Sequence, residues 1–142
     1  METICKDSED PKSVSCLVIG TENGEILLME PSGTTISKRI PVSSSAITFI
    51  ATQGLLDVDY RIVVATRTGS IFSIKVFGYF FWGASQNGKT QGNPIELETM
   101  PCGVLLLDKN VIVGCIDNVI HSFQVKGKKN YSIYLPAVWF FS

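Results

Sequence analysis

Histidine is almost absent from this chain: His121 is the one example in 142 residues. A catalytic histidine needs a nucleophile and an orienting acid beside it. No G-x-S-x-G run accompanies it, so His121 is expected on a strand face with no chemistry attached. Cysteine is sparse. Cys5, Cys16, Cys102 and Cys115 form no C-x-x-C pair, and zinc sites draw their ligands in such pairs. Cys16 and Cys115 sit in apolar runs and are expected to be buried, inert thiols. Excess charge is lacking too: 12 basic side chains stand against 13 acidic ones. A nucleic-acid binder shows a basic excess, so no nucleic-acid partner is expected. No run approaches the roughly eighteen apolar residues of a membrane helix, which argues against direct membrane insertion. Met1 to Asp10 carries four acids and no apolar core. It does not read as a secretory leader, and a reducing cytosolic setting is expected.

Helical periodicity is also missing. Short runs rich in Val, Ile, Thr and aromatics recur instead, bounded by Gly, Asn, Asp or Pro. They predict strands at Cys16–Thr21, Glu25–Met29, Thr35–Val42, Ala46–Thr52, Tyr60–Thr66, Ser70–Val76, Ile95–Met100, Gly103–Leu107, Val111–Cys115, Val119–Val125 and Tyr131–Leu135. Asn23-Gly24 between two apolar runs is a strong hairpin marker. Thr68-Gly69 and Asp117-Asn118 occupy the matching places.

Three segments superpose. Leu17-Val18-Ile19-Gly20-Thr21 precedes the first turn, Ile62-Val63-Val64-Ala65-Thr66 the second, and Val111-Ile112-Val113-Gly114-Cys115 the third. The third alignment is read with one residue fewer in its turn. Gly20 and Ala65 are 45 residues apart, and Ala65 and Gly114 are 49 apart. A period of about 40–50 residues with four short strands is that of propeller blades. The fold expected is all-β: a partial β-propeller of about three four-stranded blades. A closed ring needs about four blades or more, so this is less than a whole propeller. The partition reads as 12–54, 55–101 and 102–142, the last truncated, with 77–92 an atypical insertion. A plain antiparallel sandwich is the competing architecture.

Val14 to Leu28, Phe49 to Phe72 (with Asp57-Val58-Asp59-Tyr60-Arg61), and His121 to Lys129 followed by Leu135-Pro136-Ala137 closely resemble the central propeller of the Bardet–Biedl syndrome 1 family. The resemblance implies a seven-bladed propeller followed by further domains. It implies a non-enzymatic scaffold or adaptor subunit of the BBSome, the coat-like complex that moves membrane proteins in and out of cilia. Its implied partners are other BBSome subunits, ciliary membrane-protein cargo, and a small Arf-like GTPase that docks through the full propeller. The implied location is cytoplasm, basal body and cilium. Phe77–Trp82 and Val138–Ser142 depart from the family pattern and read as sequence foreign to the fold.

No cofactor is expected. Asp57 and Asp59 read as an exposed lead-in to a strand, not a calcium or acid–base pair. Gly20 to Gly24 lacks the Lys-Ser/Thr of a phosphate loop. Lys126, Lys128 and Lys129 are the candidate partner-binding residues, a basic cluster able to meet an anionic surface or simply to solvate a hairpin turn. Two other readings stand beside the scaffold. A quinoprotein-like propeller enzyme would need calcium-binding acids and a cofactor cleft. A truncated, non-functional gene product would need neither.

Overall fold

Three hairpins of one design organise the chain. In each, an apolar strand ends in a short polar turn and returns as a second strand. The computed structural model describes residues 1–5, 15–30, 34–54, 59–77, 94–125 and 127–136. Among these it contains twelve strands and no helix. β1 (Glu2–Cys5), β2 (Ser15–Gly20), β3 (Glu25–Met29) and β4 (Ile36–Pro41) form the first sheet. β5 (Ile47–Gly54), β6 (Asp59–Thr66), β7 (Ser70–Phe77) and β8 (Ile95–Glu96) form the second. β9 (Pro101–Leu107), β10 (Asn110–Cys115), β11 (Val119–Gln124) and β12 (Lys129–Tyr134) form the third. Each sheet is an antiparallel meander in chain order.

The three central turns share one geometry. Gly20 pairs with Ile26, Ala65 with Ile71 and Gly114 with Ile120. The offset is the same in all three, so the third turn is not a residue shorter, as the sequence alignment had it. Asn118 takes the glycine place. The residue closing each turn has a left-handed backbone: φ is 82° at Gly24, 90° at Gly69 and 66° at Asn118. Asparagine is one of the few side chains that tolerates this region. The Asn23-Gly24 turn is not the two-residue type I′ form, which needs positive φ at both residues. Only Gly24 has it. The Gly24 N–H donates to the Thr21 carbonyl at 3.2 Å, closing a three-residue loop with its glycine at the bulge. The Thr21 hydroxyl accepts the Glu25 N–H at 3.0 Å, and the Thr66 hydroxyl accepts the Ser70 N–H at 3.2 Å.

A second recurring bond fastens each blade's outer end. The carbonyl of the closing turn residue accepts an N–H from the chain leaving the fourth strand. Val42 donates to Gly24 at 3.0 Å, Leu97 to Gly69 at 2.9 Å and Leu135 to Asn118 at 2.7 Å. This explains why β8 is only Ile95–Glu96 where the sequence predicts Ile95–Met100. The Leu97 N–H is drawn to Gly69, and the chain then crosses to the next sheet, entering β9 at Pro101. Proline suits a first strand position because it has no N–H to offer the ladder.

Packing decides between propeller and sandwich. Alternate residues of a strand face opposite sides. Tyr60, Ile62, Val64 and Ile74 of the second sheet pack on Ile4, Val18, Ile26, Leu28 and Ile40 of the first. Val63, Ala65 and Ile71, from the other face, pack on Val111, Val113 and Cys115 of the third. The second sheet is therefore covered on both faces, which is why β6 reads as an unbroken apolar run. The first strands of neighbouring sheets run side by side, β1 along β5 and β5 along β9. The Thr52 hydroxyl donates to the Thr3 carbonyl at 2.9 Å across the first of these seams. Both β5 and β9 carry a bulge at the same point, opposite Thr66–Ala65 and Cys115–Gly114. The three look-alike segments lie at equivalent depth in three stacked wedges. The sheets are blades and the sandwich is excluded.

β1 was not foreseen, because Met1–Asp10 reads as an acidic lead. Its register against β2 places Ile4, 2 % exposed, beside Cys16 in the first core. The departing stretch 77–92 lies outside the described residues beyond Phe77, as do 137–142.

Two expectations follow. Ile62→Ala removes a fully buried side chain from one face of the middle blade, and Ile71→Ala one from the other. Each should lower unfolding free energy by about 2–5 kcal/mol in urea titration; an innocuous result at either site would mean that face is not buried. Gly69→Ala should cost about 1–2 kcal/mol for its left-handed backbone. Gly24→Ala should cost more, because its new Cβ also overlaps the Ser43 carbonyl.

Candidate functional site

The β11–β12 hairpin closes on Gly127, and lysines flank that glycine in the sequence. Gly127 has φ 103° and donates its N–H to the Gln124 carbonyl at 2.8 Å, while the Gln124 N–H donates to the Lys128 carbonyl at 2.7 Å. Lys128 and Lys129 are both exposed. Lys126 lies outside the described residues. Lys129 begins β12 opposite Phe123, after a bulge at Ser122/Phe123.

His121 lies in β11 opposite Ser132, with Nδ1 2.8 Å from the Ser132 hydroxyl and its ring 5.9 Å from that of Phe123. Burial lowers its pKa, and the Lys129 ammonium lowers it further; the Asp117 and Glu98 carboxylates oppose this. The lowered pKa favours the neutral ring. Asn130 is occupied as well, donating to the Asn110 side-chain oxygen at 3.0 Å.

Cys16 and Cys115 are buried, and neither they nor Cys102 are bridged. Burial pushes the Cys115 thiol up, against a lowering hydrogen bond from Thr99. A raised pKa keeps the thiol protonated and unreactive. The Asp57/Asp59 pair lies outside the side chains described. No group of three or more His, Cys, Asp or Glu comes together among the described residues. No helix there is long and apolar enough to cross a membrane.

Two concavities exist that the sequence reading did not pick out. A polar cleft of 560 Å³ lies between the second and third blades, lined by Gln53, Arg61, Lys75, Asp108, Lys109 and Asn110 among others. Arg61 and Lys75 are cross-strand partners, and like charges so placed repel. The Arg61 Nε is buried without a hydrogen-bond partner. Counting outward from Thr68 pairs residue 61 with 75, so this half of the cleft was recoverable from the hairpin alone. Lys109 reaches it only through blade stacking, which leaves no local trace. An apolar notch of 400 Å³ lies at the third blade and reaches Phe49 of β5, lined also by Leu105, Ile112, Ile120 and the glycines Gly103 and Gly114 among others.

The fold has known relatives. Residues 1–75 match the family model described as ciliary BBSome complex subunit 1. The human BBSome complex member BBS1 is 33% identical over 137 residues, 96% of this chain and 21% of that protein. The mouse protein is 32% identical over the same length. The chain thus spans about a fifth of the curated relatives it matches. A solved BBS1N chain, in complex with ARL6DN and soaked with lead, superposes with a TM-score of 0.80 at 41% identity, over 95% of this chain and 40% of that one. The Myceliophteria thermophila Cps50 (Swd1) β-propeller domain superposes at 0.69 with 13% identity, over 94% of this chain and 40% of its own, a likeness of fold alone. With the family model matching more than half of its length and the human relative matching nearly all of it, the chain belongs to the BBSome complex subunit 1 family.

Proposed function

We propose that this chain supplies blades of a non-enzymatic, protein-binding propeller in a BBSome-type trafficking complex at the cilium. The observation that carries this is the match to BBS1N, a propeller solved in complex with ARL6DN. On this reading the blades are a rigid stack that holds loops and edges in place, and binding depends on surface complementarity with no bond chemistry. Other BBSome subunits are the direct partners. Ciliary membrane-protein cargo and the small Arf-like GTPase engage the complex through the complete propeller. The complex takes the chain to the cilium and basal body.

Within the chain, exposed Lys128 and Lys129, together with the neighbouring Lys126, are the basic contribution to partner contact. Rim charges of this kind set association rate and salt dependence more than final affinity. The quinoprotein-like alternative draws no support from any grouping of acids among the described residues.

Co-expression of the tagged chain with the remaining BBSome subunits, followed by pull-down, is the test. The chain should recover at least one coat subunit. Lys128→Glu with Lys129→Glu should reduce that recovery by roughly two- to tenfold and flatten its salt dependence. A well-folded chain that recovers no coat subunit would overturn the proposal.

A further inference from the structure

The polar cleft between the second and third blades gathers three cations that the sequence keeps far apart. Arg61 and Lys75 stand opposite each other on β6 and β7, half-buried, and Lys109 reaches the same cleft from the β9–β10 turn. Arg61 lies on the face of β6 that Val63 and Ala65 turn to the third blade, since alternate residues share a face. Both walls come from adjacent blades that share a core. The Lys109 carbonyl accepts the Val125 N–H at 2.9 Å, which ties the turn to the residue after β11. The neighbouring Asn110 side-chain oxygen accepts from Asn130 at 3.0 Å. Like charges placed across a strand pair repel. The Arg61 Nε is buried with no hydrogen-bond partner, and a desolvated donor left unpaired costs stability. Asp108 is the one carboxylate among the described lining residues. It stands on the exposed turn with a left-handed backbone (φ 51°) and forms no ion pair with Arg61 or Lys109.

We propose that this cleft is a docking site for an acidic peptide segment of a partner protein, whose carboxylates take up the charge of Arg61, Lys75 and Lys109. A guanidinium binds a carboxylate through paired N–H donors, and the two lysines add point charges. The cleft volume of 560 Å³ lies in the range that accepts a ligand of many atoms, well beyond one small ion. Asp108 decides between kinds of oxyanion. A compact dianion such as phosphate would bring its whole charge near that carboxylate. Single carboxylates spaced along a peptide meet the cations one at a time and leave Asp108 to solvent. The exposed amides of Gln53 and Asn110 line the same cleft, and they suit a peptide backbone because an amide both donates and accepts. Walls already fixed by strand pairing spare the ordering cost of binding.

A fluorescein-labelled hexaglutamate peptide, titrated with the whole chain at low salt and followed by anisotropy, should bind, and a hexaglutamine peptide should not. Arg61→Gln should weaken binding by about tenfold or more and Lys109→Gln by about three- to fivefold, while Asp108→Asn should strengthen it. Arg39→Gln removes the same charge from the first blade and should change nothing. Thermal melts will verify the fold of each variant. Lys109 and Asp108 are exposed, and their opposite effects carry the test if Arg61→Gln does not fold. Equal weakening by Arg39→Gln would mean attraction to the chain's charge at large, and would overturn the proposal. So would a hexaglutamate peptide that fails to bind, including the case of a cleft already filled by the chain's own carboxylates. A phosphoserine peptide of equal charge that binds more tightly than hexaglutamate would make this a phosphate site, and would overturn it equally. None of these outcomes depends on recovering a coat subunit.

Discussion

A four-stranded sheet with oily residues on both sides has no stable existence in water by itself, and everything in this molecule follows from that. Burying one face against a neighbour exposes the other to the same problem, so sheets accumulate into a stack. The middle blade shows the solved case, with β6 sealed between two clusters that draw on consecutive residues of the same strand. Stability in such an arrangement is shared between neighbours. The large buried side chains at the two seams, Ile4, Val18 and Ile26 at one and Val111 and Val113 at the other, stabilise pairs of blades and not single ones.

Much of this was legible in the amino-acid order because the constraint repeats. An apolar triplet, a small residue and a polar turn recur at a blade's period, and the structure places all three copies at the same depth. What was misread is local and physical. Glu2-Thr3-Ile4-Cys5 is a strand with one side chain in the first core, and its acidic flank hides it. Asn118 stands where glycine does in the other two turns, and the third turn has the same offset as the others although the alignment took it as one residue shorter. β8 ends early because the Leu97 N–H is committed to a turn carbonyl 28 residues back, a bond with no sequence marker. The basic cluster at Lys128 and Lys129 was visible because it is contiguous. The cleft holding Arg61 and Lys109 was not, since stacking alone unites its parts.

The surface and the core therefore obey different rules. Core positions are set by what the next blade offers. Surface groups such as Lys128 and the Arg61–Lys75 pair are set only by strand register, and the fold tolerates them without requiring them. This separation lets surface groups differ while the fold stays close to that of a propeller only 13% identical to this chain.

The tie from Gly24, Gly69 and Asn118 to the exit of each fourth strand has a consequence for where the three blades can differ. It lies at the end of the blade where β2 meets β3, β6 meets β7 and β10 meets β11, and there the three turns share one register offset. At the opposite end β1 to β2, β5 to β6 and β9 to β10 are joined by spans of quite different length. The three blades of this chain therefore differ in connection length at one end of their sheets and share one turn geometry at the other.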